Sequence, residues 1–226
     1  MSRRTHECRT QFRRCAGAGH PIRSLNGPMV DAKGRGVLGE IVVDITVSLD
    51  GFIATPDGDV TRLHRWALAD DSSEDGYTDE ARELFKADEF GAVVAGRRTF
   101  DQSGAWDGNP PIPAPYIIVS HDVPEKVKTG EWTRFVFVSE GIEAAMAKAQ
   151  EIADGRAVAV MGGADVIQQC LNAGLVDVVS LHVVPVLLGS GIRLFDHLGG
   201  QQELELVGTS KGPETFRMHY RVAKQP

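Results

Sequence analysis

The stretch Val158–Ile167 constrains the fold of this 226-residue chain more than any other. Its short β-branched run meets the pair Gly162-Gly163 and then continues into apolar residues at helical spacing. A strand, a glycine turn and a helix in that order are typical of an α/β protein. Because glycine has no Cβ atom, this turn would let a phosphate approach main-chain N–H groups at the start of the helix. A Gly-Gly pair after a strand is also an ordinary turn, so the pattern alone leaves both interpretations open.

From Glu40 onward the sequence alternates between strand and helix patterns. The predicted strands are Ile41–Val47, Ala92–Ala95, Tyr116–Val119, Phe135–Val138, Ala157–Val160, Val176–Val184, Leu204–Val207 and Phe216–Val222. The predicted helices are Asp79–Ala87, Arg97–Gln102, Ile142–Ala153 and Ala164–Ala173. This alternation, followed by two strands with no helix between them, predicts a mostly parallel sheet with an antiparallel C-terminal edge.

The first 38 residues differ from the rest, with eight Lys or Arg against two acidic side chains. Their arginine content is typical of a transit peptide, but Pro21 and Pro28 interrupt any long amphipathic helix. Their two histidines and two cysteines match no common zinc-finger spacing. We therefore expect residues 1–38 to be a disordered extension, or upstream sequence included by a mis-called start. Residues 39–226 would form one folded domain.

The folded part is strongly acidic, with 29 Asp and Glu against 16 Lys and Arg. Nucleic-acid affinity depends on neutralising phosphates, so this composition argues against a nucleic-acid partner. No apolar stretch reaches the roughly 20 residues that cross a bilayer. Three scattered cysteines indicate a reducing compartment rather than a disulfide framework. We expect a cytoplasmic protein without a membrane partner or a metal.

A second glycine-led junction, Gly96-Arg97-Arg98-Thr99, follows a predicted strand and opens a predicted helix. The planar guanidinium of arginine can bind two phosphate oxygens at once. Ligands of open α/β sheets collect at the carboxyl ends of strands, where this junction would lie. The pattern predicts contact with phosphate, although arginines in such a place can also simply solvate a helix.

Ser120 and His121 come directly after another predicted strand. The serine hydroxyl can donate to a phosphate, and a protonated histidine would add positive charge. A surface histidine without a role is an equally good interpretation of His121. Three strand ends with phosphate-binding groups make one crevice at the sheet edge a reasonable expectation.

Four motifs occur in an order that resembles the dihydrofolate reductase superfamily. They are Ser48-Leu49-Asp50-Gly51-Phe52-Ile53-Ala54, Gly96-Arg97-Arg98-Thr99-Phe100, Met161-Gly162-Gly163-Ala164 and Pro185-Val186-Leu187-Leu188-Gly189-Ser190-Gly191. The chain is most similar to the reductase domain of the bifunctional riboflavin-biosynthesis deaminase–reductase and its stand-alone relatives. The likeness covers Glu40–Val222, and the run Pro185–Phe195 is its most particular part. The deaminase signature, His-x-Glu with Pro-Cys-x-x-Cys, does not occur in this sequence.

The resemblance implies a three-layer fold with helices on both faces of the sheet, and NADPH as cofactor. Cofactor phosphates would contact the Gly96–Thr99 junction, where Arg97 or Arg98 would favour NADPH over NADH. Ser120 and His121 would lie near the 2′-phosphate. The remaining implied cofactor contacts are Ala54 in a flap, the pair Gly162 and Gly163 joined by a cis peptide, and the helix start Ala164, Asp165 and Val166.

Two carboxylates are the candidate catalytic groups. Asp50 would end the first strand, where it could face the substrate or could cap a turn with Gly51. Counting back from Gly96 puts Glu80 near the carboxylate that dihydrofolate reductases carry on their first long helix. Either Glu80 or Asp79 could instead be a first-turn acid stabilised by the helix dipole.

The resemblance implies an NADPH-dependent reductase that transfers hydride to a C=N or C=O carbon of a small polar heterocyclic or sugar-linked substrate. The most similar named activity is reduction of 5-amino-6-(5-phosphoribosylamino)uracil. Two alternatives are a true dihydrofolate reductase and a regulator that binds NADPH without turnover. The family resemblance also implies a homodimer.

Overall fold

The structure, a computed structural model, describes residues 38–69, 76–84, 89–124 and 134–224. Its strands are β1 (Ile41–Ser48), β2 (Phe52–Ala54), β3 (Phe90–Gly96), β4 (Tyr116–Val119), β5 (Phe135–Val138), β6 (Ala157–Val160), β7 (Val178–Val184), β8 (Ile192–Arg193), β9 (Leu204–Lys211) and β10 (Phe216–Val222). Its helices are α1 (Thr61–His64), α2 (Asp79–Leu84), α3 (Arg97–Gln102), α4 (Ile142–Ala153) and α5 (Ala164–Asn172), with a 3-10 helix at Gly104–Gly108.

Eight strands form one sheet in the order β5-β4-β3-β6-β1-β7-β10-β9. The pairs from β5 to β7 are parallel, whereas β10 pairs antiparallel with both β7 and β9. A separate two-stranded sheet joins β2 to β8. The predicted mostly parallel sheet with an antiparallel C-terminal edge is therefore confirmed.

Helices cover both faces of the large sheet. On one face, α4 and α5 pack against β1, β3 and β6 through buried side chains that include Met146, Ile167 and Val43. On the other face, Phe100 of α3 packs with Tyr116. Leu63 of α1 joins Trp66 and Ala81 in a smaller cluster on that second face. The predicted three-layer arrangement is confirmed.

The second face is not uniformly apolar. Two separate clusters cover it, one around Phe100 and Tyr116 over β3, β4 and β6, and one around Leu63 and Trp66 over β7. Strand β1 runs between the regions that these clusters cover, because β6 and β7 are its two neighbours. This division leaves room for polar side chains in the middle of the sheet.

Most predicted elements have the expected bounds, and α2 is described as far as Leu84 of its predicted range. Helix α1, strands β2 and β8 and the 3-10 helix were not predicted, and β9 extends to Lys211, beyond its predicted end at Val207. Residues 1–37 of the predicted extension lie outside the described residues. Among the described helices, none is long and apolar enough to cross a membrane.

Candidate active site

The two predicted glycine junctions meet at the carboxyl edge of the sheet. The N–H of Gly96 donates to the carbonyl oxygen of Gly162 at 2.8 Å. The hydroxyl oxygen of Thr99 lies 3.5 Å from the position that a Cβ atom on Gly163 would take, and 3.7 Å from that position on Gly162. A Cβ atom on Gly96 would lie only 3.0 Å from Val166 Cγ2. Five of the predicted cofactor residues are thus brought together by parallel pairing of β3 with β6.

The start of α5 offers unoccupied main-chain donors. Gly162 has φ +123°, a conformation that favours glycine, and its peptide bond to Gly163 is cis. Gly163 is the N-cap of α5 in an extended conformation, without a side-chain cap. Ala164 is buried, while the exposed carboxylate of Asp165 accepts a hydrogen bond from the Gln169 side chain at 2.7 Å. The helix start can accept an anion, although Asp165 adds negative charge beside it.

The two arginines of the upstream junction differ in their contacts. Arg97 Nε donates to both carboxylate oxygens of Asp101 at 2.9 Å. Its Nη1 donates to Ser120 Oγ at 3.3 Å and to the carbonyl of Asp122 at 3.0 Å. Arg98 is exposed and forms no hydrogen bond or ion pair with any residue that the structure describes. Arg97 therefore organises the end of β4, and Arg98 is the arginine that is free for a ligand.

The remaining predicted cofactor residues lie at the ends of strands. The hydroxyl of Ser120 donates to the carbonyl of Asp122 at 2.6 Å, and His121 beside it is exposed. Ala54 lies buried in β2 opposite Ile192 of β8, and its carbonyl oxygen occupies the space that a Cβ on Gly191 would need. These contacts do not test the predicted roles, which stay predictions.

Asp50 connects the end of β1 to the glycine loop after β7. Its carboxylate accepts hydrogen bonds from Ser48 Oγ at 2.6 Å, Leu188 N at 3.1 Å and Gly189 N at 2.7 Å. The bond from Ser48, supported by those from Gly189 and Leu188, outweighs the opposing effect of desolvation and lowers the pKa of Asp50 to about 2. Asp50 is therefore ionised at neutral pH, and its carboxylate stabilises the loop at Leu188 and Gly189. Its catalytic role stays a prediction.

Glu80 lies in the first turn of α2 and reaches across to β10. Its Oε1 accepts hydrogen bonds from Arg217 Nη2 at 2.6 Å and from the hydroxyl of Thr215 at 3.0 Å. The Glu80 and Arg217 side chains are each 15% exposed, and the guanidinium carbon lies 5.8 Å from the centre of the Trp66 ring. The carboxylate of Glu80 thus attaches α2 to the sheet, and its catalytic role remains a prediction.

A contact between His182 and Asp44 in the middle of the sheet was not predicted from the sequence. His182 Nε2 lies 3.0 Å from Asp44 Oδ1, and the His182 side chain is only 1% exposed. The Trp66 ring stacks on His182 with centroids 5.2 Å apart, and Trp66 Nε1 donates to Thr46 Oγ1 at 3.2 Å. Burial alone would raise the pKa of Asp44, but the charge and hydrogen bond of His182 lower it overall.

The strand sequences did contain a signal for this polar face. Asp44, Thr46 and Ser48 alternate with apolar residues along β1, and Ser180 and His182 do the same along β7. Alternation with period two means that these side chains share one face of the sheet. In a central parallel strand, which normally buries both faces, such polar positions mark a site or a covered network.

An eight-stranded sheet in this order, with glycine junctions at the carboxyl ends of β3 and β6, defines the class of α/β proteins with the dihydrofolate reductase-like fold. The family model described as RibD C-terminal domain matches residues 40–216, which is more than half of the chain. The chain belongs to this family.

Several known proteins are similar to this chain in sequence or in fold. The uncharacterized protein YwjB of Bacillus subtilis is 28% identical over 179 residues, covering 79% of this chain and 95% of that protein. A putative riboflavin biosynthesis protein from Shewanella sp. PV-4 has the same fold, with a TM-score of 0.61 at 23% identity over 81% of this chain and 99% of the other. A diaminohydroxyphosphoribosylaminopyrimidine deaminase/5-amino-6-(5-phosphoribosylamino)uracil reductase from Thermotoga maritima gives a TM-score of 0.56 at 16% identity over 82% and 57% of the two chains.

Proposed function

We propose that this chain is an NADPH-dependent reductase acting on a C=N or C=O bond of a small polar heterocyclic or sugar-linked molecule. The observation that carries the proposal is the contact between the two glycine junctions, in which Gly96 donates to Gly162 at 2.8 Å. This contact places an arginine-bearing turn beside an uncapped helix start, the two kinds of group that bind a dinucleotide diphosphate. Membership of the RibD C-terminal domain family supports the same class of reaction.

The residues present fit a phosphorylated dinucleotide. A Cβ atom at Gly162 or Gly163 would lie in van der Waals contact with the Thr99 hydroxyl. Because glycine has no Cβ atom, the space between the main chain and Thr99 stays open for a phosphate. Main-chain N–H groups at the start of α5 would bind the diphosphate, and Thr99 would donate to it. The unpaired guanidinium of Arg98 would bind the extra phosphate that distinguishes NADPH from NADH.

When bound, NADPH supplies a hydride from C4 of its nicotinamide ring to the acceptor carbon. The chain's own residues orient the two reactants and exclude water, which accounts for much of the acceleration in such reactions. A proton must also reach the nitrogen or oxygen of the reduced bond. Asp50, with its pKa lowered to about 2, carries no proton at neutral pH, so we assign this proton to solvent water.

Similarity to known proteins suggests a first candidate for the substrate. The Thermotoga maritima protein is described as a 5-amino-6-(5-phosphoribosylamino)uracil reductase, and that compound is our first candidate substrate. The direct test is the fall in NADPH absorbance when this compound, and then a panel of cyclic imines and ketones, is added to the purified protein. Oxidation that depends on both the compound and the protein supports the proposal, and its absence across the panel contradicts a reductase.

One observation favours a second candidate function, a regulator that binds NADPH without turnover. Both predicted catalytic carboxylates are engaged in structural contacts, Asp50 with a turn and Glu80 with Arg217. Under this alternative, NADPH binds with the same preference over NADH, but no compound in the panel is reduced.

We also expect a homodimer. The outermost strand β9 and the start of β10 expose Leu206, Val207 and Phe216, which are each about half accessible to solvent. An exposed apolar edge strand is a natural surface for a second copy. A molar mass by light scattering of twice the monomer value of 24.4 kDa supports this expectation. A monomer mass that persists at high protein concentration contradicts it.

A further inference from the structure

Register across three neighbouring strands places polar side chains in rows on the second face of the sheet. Asp44 pairs with Ser180 of β7, and Ser180 pairs with His219 of β10. The next row contains His182 between Thr46 and Arg217. Trp66 covers that second row, since it stacks on His182 and donates to Thr46.

The first row is open to solvent at Asp44. Its side chain is 25% exposed, although β1 is a central strand flanked by β6 and β7. The cluster around Tyr116 covers the sheet on one side of this position, and the cluster around Trp66 covers it on the other. Solvent therefore reaches the Asp44 carboxylate between the two clusters.

Asp44 lies near the predicted cofactor site. Val43 pairs with Val160, so continuing this parallel register by one residue puts Met161 alongside Asp44. Met161 is partly buried, packs against the Tyr116 cluster and directly precedes Gly162. A molecule held at Asp44 would therefore lie close to the glycine pair.

A polar atom beside this position lacks the partner that a buried group normally has. Within the described ranges, His182 Nδ1 is buried without a hydrogen-bond partner. Most buried polar groups in folded proteins are satisfied, so each such atom needs an explanation. A bound ligand or its water beside Asp44 would supply one.

From this arrangement we propose that Asp44 contacts the substrate, and that His182 positions it. An ionised carboxylate only accepts hydrogen bonds, so the part of the substrate at Asp44 presents N–H or O–H donors and carries no negative charge. The buried imidazole of His182 lies 3.0 Å from one carboxylate oxygen and so fixes the orientation of the Asp44 side chain. This assignment rests on the proposed reductase function and names the residue that selects its substrate.

The test uses two small probes of similar shape, 2,4-diaminopyrimidine with amino donors and 2,4-dimethylpyrimidine without them. Binding to the full chain is followed by ligand-observed NMR, both without cofactor and with NADPH present. We expect wild type to bind the diamino probe at least about tenfold more tightly than the dimethyl probe, because only the former makes charge-assisted hydrogen bonds. Equal affinity for both probes, or no binding of either, overturns the assignment.

Variants then locate the contact. Asp44→Asn should lower the affinity for the diamino probe about tenfold or more, whereas Glu205→Gln, an exposed carboxylate on β9, should not change it. His182→Gln retains an N–H donor and should keep most of the affinity, whereas His182→Leu should lose it as Asp44→Asn does. Circular dichroism checks that each variant folds, and if Asp44→Asn does not, the comparison of His182→Gln with His182→Leu still decides. Unchanged probe affinity in a folded Asp44→Asn protein overturns the proposal.

The two proposals can fail separately. The affinity for NADPH is measured in the same samples, and Asp44→Asn should leave it unchanged. If wild type does not bind NADPH but still selects the diamino probe through Asp44, the reductase function fails and the donor-binding site stands. If NADPH binds and the probes are not distinguished, the reductase function stands and the assignment of Asp44 fails.

Discussion

The N–H of Gly96 donates to the carbonyl oxygen of Gly162 at 2.8 Å, although 66 positions of sequence separate the two residues. This bond continues the parallel pairing of β3 with β6 beyond the last paired residues of the sheet. It brings the turn that carries Arg98 next to the start of α5. The candidate cofactor site depends on this contact more than on any single charged side chain.

The first prediction concerns the backbone at Gly162. Gly162→Ala places a Cβ atom at φ +123°, where strain costs about 1–3 kcal/mol, and close to the Thr99 hydroxyl. We expect a loss of stability by urea unfolding together with loss of NADPH binding. Gly174→Ala is the matched control, since Gly174 has φ +65° with open space around it at the end of α5. The control should lose stability but keep NADPH binding, and equal effects on binding would contradict the account.

The second prediction separates the two neighbouring arginines. Arg98→Ala should weaken NADPH binding about tenfold while changing NADH binding little, because one charge-assisted phosphate contact is lost. Arg134→Ala is the control, because Arg134 precedes β5 at the amino edge of the sheet and Arg98 follows β3 at the carboxyl edge. This variant should change the affinity for neither NADPH nor NADH. Parallel fluorescence titrations measure both affinities. An equal loss of affinity for NADPH and for NADH in Arg98→Ala would show that Arg98 does not bind the extra phosphate.

The third prediction concerns the ion pair between Glu80 and Arg217. Glu80→Leu leaves the largely buried guanidinium of Arg217 without its partner, so it should lower the free energy of unfolding by about 1–3 kcal/mol. The loss is moderate because the Arg217 side chain is 15% exposed to solvent. The double variant Glu80→Leu with Arg217→Met should lose clearly less than the sum of its single variants. Denaturant unfolding of wild type, the two single variants and the double variant gives a double-mutant cycle. If the losses in free energy of unfolding are additive, the two side chains are not coupled.

The fourth prediction follows from the lowered pKa of Asp50. A carboxyl whose pKa falls from about 4 in the unfolded chain to about 2 in the folded one stabilises the fold above pH 4. That contribution disappears as the pH falls from about 4 to about 2. Asp50→Asn should therefore flatten the dependence of stability on pH in this window, and Glu205→Gln should retain it. Identical acid profiles for wild type and Asp50→Asn would contradict the hydrogen-bonding role given to Asp50.

Local sequence patterns were sufficient for several strands and helices of the fold. Strand Tyr116–Val119 and helix Ile142–Ala153 have the predicted bounds, because a continuous β-branched run and a regular apolar spacing each favour one structure. The meeting of the two glycine junctions was also predictable, since parallel strands bring their carboxyl ends to one edge.

Features that depend on distant partners were not predictable in this way. Strand β2 has only three residues in a loop rich in Gly, Asp and Pro, and pairing with β8 holds it. The bond between Glu80 and Arg217 spans 137 positions, and that between Asp44 and His182 spans 138. Nothing near Glu80 or Asp44 in the sequence identifies these partners. The polar alternation in β1 was visible, but its meaning required the register with β7.

Selectivity of the cofactor site for NADPH can be measured by fluorescence titration of the purified chain with NADPH and with NADH. Its three tryptophans provide the quenching signal. We expect micromolar binding of NADPH and binding of NADH that is at least about tenfold weaker, because NADH lacks the phosphate assigned to Arg98. Failure to bind either dinucleotide, or equal affinity for both, would contradict this expectation.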